Sequence, residues 1–240
     1  MGHHVPLTLA EAREWALDGG QVIILAEGFL QNGIGILPEQ RQHAQSRSCD
    51  VISGETRAFI AITFAAYNPD SCRHLDEDLR CRIYDRRPLV CRIYPMEINP
   101  HIPLRQASKD CPPEAWLQGE ALIVSDRLVD SETQALIERS RQADREDVHI
   151  KASICNWLGI ATSALKGDGF TAYLPDMSAF TSALELAGQF TAEEHAEAAV
   201  SRAWQFHVSD EDVLASLQQA GAQAITGPSQ YYGFIGLRAA

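Results

Sequence analysis

Between Cys72 and Pro113 the chain carries four of its six cysteines and six of its eleven prolines. Proline lacks a backbone donor and clashes with the preceding helical turn, so no long helix runs through this stretch. The tetrapeptide Cys-Arg-Ile-Tyr is written twice, at 81–84 and 91–94, and Cys72, Cys81, Cys91 and Cys111 are separated by 8, 9 and 19 residues. A loop-rich knot is expected, and such a knot needs something other than a hydrophobic core to fix it. A metal does this, because its binding energy becomes folding energy.

Grouped cysteines have three explanations: disulfides, metal or iron–sulfur ligation, and coincidental burial. Disulfides need an oxidising compartment. Met1 to Pro6 holds no basic segment followed by an apolar run, so no signal peptide is expected. No run reaches the ~18 apolar residues of a membrane span. The expected compartment is the cytoplasm, where thiols stay reduced. Burial explains a single free cysteine well, since this residue is often a small core hydrophobe, and four grouped ones poorly. The balance favours metal or Fe–S ligation. The spacing lacks a Cys-x-x-Cys zinc knuckle and the close ferredoxin spacings, so an iron–sulfur cluster and zinc both stay open. Residues 72–111 hold eight basic and six acidic groups, a local charge of +2 in a chain of −12. Guanidinium groups there would stabilise thiolates around a dipositive centre; a solvated basic face is the alternative.

The run from Cys72 to Tyr84, then Arg87-Pro88-Leu89-Val90-Cys91-Arg92-Ile93-Tyr94-Pro95-Met96, then Cys111-Pro112, resembles the YkgJ-type cysteine-cluster family, described as a zinc- or iron-chelating domain. Val5-Pro6-Leu7-Thr8 and the helix after it resemble that family's entry segment. The likeness covers residues 5–115. It implies Cys72, Cys81, Cys91 and Cys111 as metal ligands and gives no role to Cys49 or Cys155. Flagellin lysine N-methylases are counted in the family, so it also implies a cluster-dependent protein lysine methyltransferase as one activity. Family members carry a further Cys-x-x-Cys-x-x-Cys-Cys motif just upstream of the Val-Pro-Leu-Thr-like stretch. This sequence begins at Met1, four residues ahead of that stretch, and does not show it.

The expected fold class is α+β: a small mixed, loop-rich cysteine-cluster domain over residues 1–120, followed by a mainly helical region over 121–240. Thr8-Leu9-Ala10-Glu11 is a capping box for a helix running to Leu17 and stopping at Gly19-Gly20. Val22 to Leu25 reads as a buried strand. Residues 38–50, rich in Gln, Arg and Ser, read as exposed, with Cys49 a bystander at their end. Arg57 to Tyr67 is apolar on both faces and reads as a central, covered strand. Val148 to Leu165 fits a helical period ended by Gly167-Asp168-Gly169, with Cys155 in its core stripe. Asp176, Thr191 and Ser209 are expected N-caps, and Tyr231 to Ile235 is expected to dock on its own domain.

The net charge of −12 argues against binding nucleic acid or an anionic membrane. No GxGxxG, P-loop lysine, Gly-x-Ser-x-Gly elbow or calcium loop is present. His74 and His101 lie within the cysteine segment and could replace a thiolate; hydrogen-bonding roles are the commoner use. Tyr84 and Tyr94 read as core residues that could alternatively move protons near a metal. Three functions follow: a cysteine-held iron–sulfur or zinc protein, redox-active or structural; the methyltransferase; and a non-catalytic scaffold whose acidic helical region binds a protein partner.

Overall fold

The computed structural model describes residues 3–117, 119–125 and 127–237. Its first part contains β1 (His3–Leu7), α1 (Leu9–Leu17), β2 (Val22–Leu30), α2 (Arg41–Gln45), β3 (Cys49–Ser53) and β4 (Thr56–Asn68). The middle holds α3 (Leu89–Ile93), β5 (Ile123–Val124), β6 (Arg127–Leu128) and α4 (Ser131–Glu146). The remainder is α5 (Val148–Trp157), β7 (Thr162–Leu165), β8 (Gly169–Tyr173), α6 (Met177–Ala187), α7 (Ala192–Val200), β9 (Gln205–His207), α8 (Glu211–Gln219), β10 (Ala224–Ile225) and β11 (Gly233–Gly236). The class is α+β.

The strand expected at Arg57–Tyr67 is β4, and it is central. β2 pairs along one edge, from Val22 opposite Ala66 to Leu30 opposite Ala58. β1 and β3 share the other edge. Ala58, Ile60, Ile62, Phe64 and Ala66 bury one face in the main core, where Phe64 meets Phe180 of α6 edge-on at 5.3 Å. On the opposite face Phe59 stacks on Phe29 of β2 at 5.3 Å.

Beyond β2 the sheet changes character. β2–β7, β7–β9 and β9–β10 are parallel, whereas β8 pairs antiparallel with β2 and then with β11. The nine-stranded sheet is therefore mixed. Beside the parallel pair, Glu27 of β2 is buried and accepts a hydrogen bond from Lys166 Nζ at 2.6 Å.

Residues 121–240 are mainly helical through α4 to α8, and they also carry the strands β7 to β11 of the sheet. The helix expected from Val148 to Leu165 stops at Trp157, because Gly159 takes φ +74°. A left-handed residue after the last turn ends a helix and re-aims the chain. Thr162 to Leu165 is then buried throughout as a strand. Residues 38–50 are not simply exposed either: α2 buries Ala44, and Cys49 opens the buried strand β3. One expected cap shifts by one residue. Asp210 rather than Ser209 caps α8, accepting from Asp212 and Val213, while Ser209 bonds Asp168. Asp130 accepts from Thr133 at the start of α4.

Two compact units emerge, dividing elsewhere than at 120/121: residues 1–73 with 144–240, and residues 74–143. The first unit contains the nine-stranded sheet and the main core. The second has its own small apolar cluster of Leu89, Ile93, Leu136 and Ile137, with Met96, Ile98 and Leu128 against it. The cysteine segment thus has some hydrophobic fixing of its own, contrary to expectation.

Candidate metal centre

Cys81, Cys91 and Cys111 lie within residues 74–143, and Cys72 lies in the first unit, packed against its main core. Each thiol has a distinct local frame. Cys81 forms an isolated antiparallel bridge with Leu75. The loop between them is shaped by Asp76, whose Oδ1 accepts from the amides of Asp78 at 3.0 Å and Arg80 at 2.8 Å. Short acidic side chains stabilise such turns by replacing a backbone acceptor.

Cys91 sits on α3, not on a strand. Pro88 stands at the helix entrance with φ −50°, where its missing N–H costs nothing. Leu89 and Ile93 are buried while Cys91, between them in sequence, is half-buried. The helical period separates the faces that these residues present.

Cys111 closes a loop begun by the second Cys-Arg-Ile-Tyr copy. The Tyr94 hydroxyl accepts from the Asp110 amide at 2.7 Å and is hydrogen-bonded to the Cys111 thiol. Burial first, then that thiol, pushes the Tyr94 hydroxyl pKa upward. Lys109 reinforces the closure, donating to Glu97 at 2.6 Å with its ammonium 5.5 Å from the Tyr94 ring centroid.

The two tetrapeptide copies have a common feature: each tyrosine ring faces a cation. Arg87 lies 3.7 Å from the Tyr84 ring centroid and donates to the Tyr84 carbonyl. Both tyrosines are exposed rather than core, which corrects the core reading. Only the second copy buries its isoleucine, Ile93. Arg92 pairs with Glu132 at 3.4 Å. Several cations of this segment therefore already serve rings or carboxylates.

The six thiols are all free and fall into two classes. Cys49 and Cys155 are sealed in the main core, at 1% and 0% exposure. Burial, then the neighbouring Asp50 charge, pushes the Cys49 thiol up to about 12. Burial likewise pushes Cys155 up. Cys72, Cys81, Cys91 and Cys111 are half-buried. Partly exposed thiols can lose protons to a metal, and zinc and iron–sulfur centres take that donor type. The donor chemistry fits the metal, whereas the arrangement is not a preformed cage. Among the described residues no three His, Cys, Asp or Glu side chains are gathered closely enough to hold an ion. His74 is half-buried and His101 exposed, and neither completes such a group.

A mixed α+β protein with a cysteine-bearing, proline-broken middle segment is the class these features define. Residues 36–112, about a third of the chain, match the CxxCxxCC family, described as a "putative zinc- or iron-chelating domain". The match supports the resemblance that the motifs of this segment carry. No curated protein and no solved structure matches the chain. Among the described residues no helix is long and apolar enough to cross a membrane.

Proposed function

We propose that this protein binds zinc or an iron–sulfur cluster through Cys72, Cys81, Cys91 and Cys111. The observation that carries the reading is the division of the thiols. The four grouped between residues 72 and 111 keep partial access to solvent, whereas Cys49, also within the matched residues, and Cys155 are sealed in the core. A core thiol must be desolvated as an anion before it can ligate, and Cys49 already resists ionisation to about pH 12. The four grouped thiols are only half-buried.

Ligands not yet gathered imply that binding draws the segment together. Metal binding then acts partly as folding. Four thiolates satisfy tetrahedral zinc as well as a four-iron cluster, so the donor set accommodates both. The iron–sulfur form is the one through which the protein would be redox-active.

Anaerobic purification followed by element analysis and an absorption spectrum tests the proposal. One zinc with no visible absorption, or several irons with sulfide and a brown colour, is the expected result. A metal-free chain that takes up neither metal after anaerobic reconstitution would refute it.

A further inference from the structure

A cavity in the first unit has no cysteine in its wall. This cavity of about 910 Å³ opens among the chain entering β7, the chain entering β9 and the segment joining β10 to β11. That size falls in the range of small-molecule sites. Its wall contains one charged side chain, Arg202, and no carboxylate. This is notable in a chain of net charge −12. Among the described residues Arg202 has no acidic partner.

The rest of the wall is aromatic and amide. Tyr173 and Tyr232 face one another with ring centroids 5.0 Å apart. Their hydroxyls are already engaged: Tyr173 donates to the Thr162 carbonyl at 2.7 Å, and Tyr232 is 3.0 Å from His207 Nδ1. Gln205 Nε2 is held by Thr162 Oγ1 at 3.0 Å. With the hydroxyls tied back, the tyrosines offer the cavity ring surface in a fixed orientation. Gln223 adds a side-chain amide to the same wall. A wall fixed before binding loses less entropy when a ligand arrives.

We infer that this cavity binds a small anion carried on a flat, unsaturated ring. A carboxylate or phosphate meets Arg202, and the ring lies against Tyr173 and Tyr232. Arginine's planar fork suits both head groups bidentately. Tyrosine faces take a flat ring by offset or edge contact. A cationic ligand of the same shape would meet Arg202 unfavourably.

Calorimetric titration of the full chain with benzoate, phenyl phosphate, inorganic phosphate and benzylamine tests this. The aromatic anions should saturate one site, inorganic phosphate should bind about tenfold more weakly, and benzylamine should not bind. Arg202 is exposed, so Arg202→Gln should fold normally and weaken benzoate and phenyl phosphate by about tenfold or more. Heteronuclear NMR of the same samples should show shifts centred on Tyr173 and Tyr232. Failure of both aromatic anions to saturate, benzylamine binding as tightly as benzoate, or unchanged affinity in a folded Arg202→Gln chain would each overturn the proposal. So would NMR shifts confined to other parts of the chain.

Discussion

The backbone amide of Glu55 donates to the carbonyl oxygen of Gly221 at 2.7 Å, sewing the β3–β4 turn to the residue at which the chain leaves α8. Gly54 precedes it with φ +60°, and a Cβ there would run into that same carbonyl. Gly54→Ala therefore faces both left-handed strain and a backbone collision. A loss of ~2–4 kcal/mol is expected. Urea unfolding measures it; a loss under ~1 kcal/mol would mean the turn can shift aside at little cost.

The thiols should react in two groups. In the folded, metal-free chain, Cys72, Cys81, Cys91 and Cys111 should be alkylated by iodoacetamide at neutral pH. Cys49 and Cys155, being sealed, should react only after denaturation. Peptide mapping of the labelled protein reads this directly. Native labelling of Cys155 at the rate of Cys81 would contradict the burial argument.

Alkaline stability should carry the mark of Cys49. Its thiol rises from an ordinary 9.0 to about 12 on folding, so the folded state favours the protonated form. The resulting stabilisation is complete below pH 9 and is lost as pH rises from 9 toward 12. Cys49→Ala should flatten this slope between pH 9 and 11, while costing ~1–2 kcal/mol at neutral pH from lost packing. Denaturant midpoints across that range distinguish the two effects.

On the acid side the relevant group is His207. Burial lowers its pKa below 6.5, opposed by the Asp168 carboxylate. A depressed imidazole favours its neutral form in the folded state. Its stabilisation is present above pH 6.5 and is lost as pH falls through the folded value. Tyr232→Phe removes the partner of His207 Nδ1 and should cost ~1 kcal/mol. Thermal unfolding at pH 7.5 and 5.5 reads both, and β11 should be the first element to lose hydrogen-exchange protection.

Metal loading should change dynamics more within residues 74–117 than within the sheet. The candidate ligands Cys81, Cys91 and Cys111 are held by separate local frames, a turn, a short helix and a Tyr94-closed loop. Drawing them together must restrict those frames. Hydrogen exchange with and without zinc should show new protection there. Cys91→Ser should abolish it, and Cys155→Ala should leave it intact.

Much of the fold was legible because its causes are local. Thr8 with Glu11 and Thr191 with Glu194 form reciprocal capping boxes, as their spacing predicts. Asp176 caps α6, and Tyr231 to Ile235 docks on its own unit by pairing with β8. β4 was legible because an apolar run on both faces has few places to go but the middle of a sheet. The candidate ligands rest on residue type and grouping in the sequence, and among the described residues the fold does not gather them.

What the sequence determined by itself was the caps, the central strand, the proline-broken middle and the set of thiols suited to a metal. What only the tertiary structure decided was which short apolar runs became strands and which thiols stayed accessible. Thr162 to Leu165 fits a helical period until Gly159 turns the chain and Glu27 and Gly28 of β2 offer distant partners. Cys155 falls in a helical core stripe in sequence, whereas Cys49 reads as an exposed bystander until the sheet takes it into the core. Capping is settled by hydrogen bonds within one helical turn, whereas strand pairing and desolvation depend on residues more than a hundred positions away.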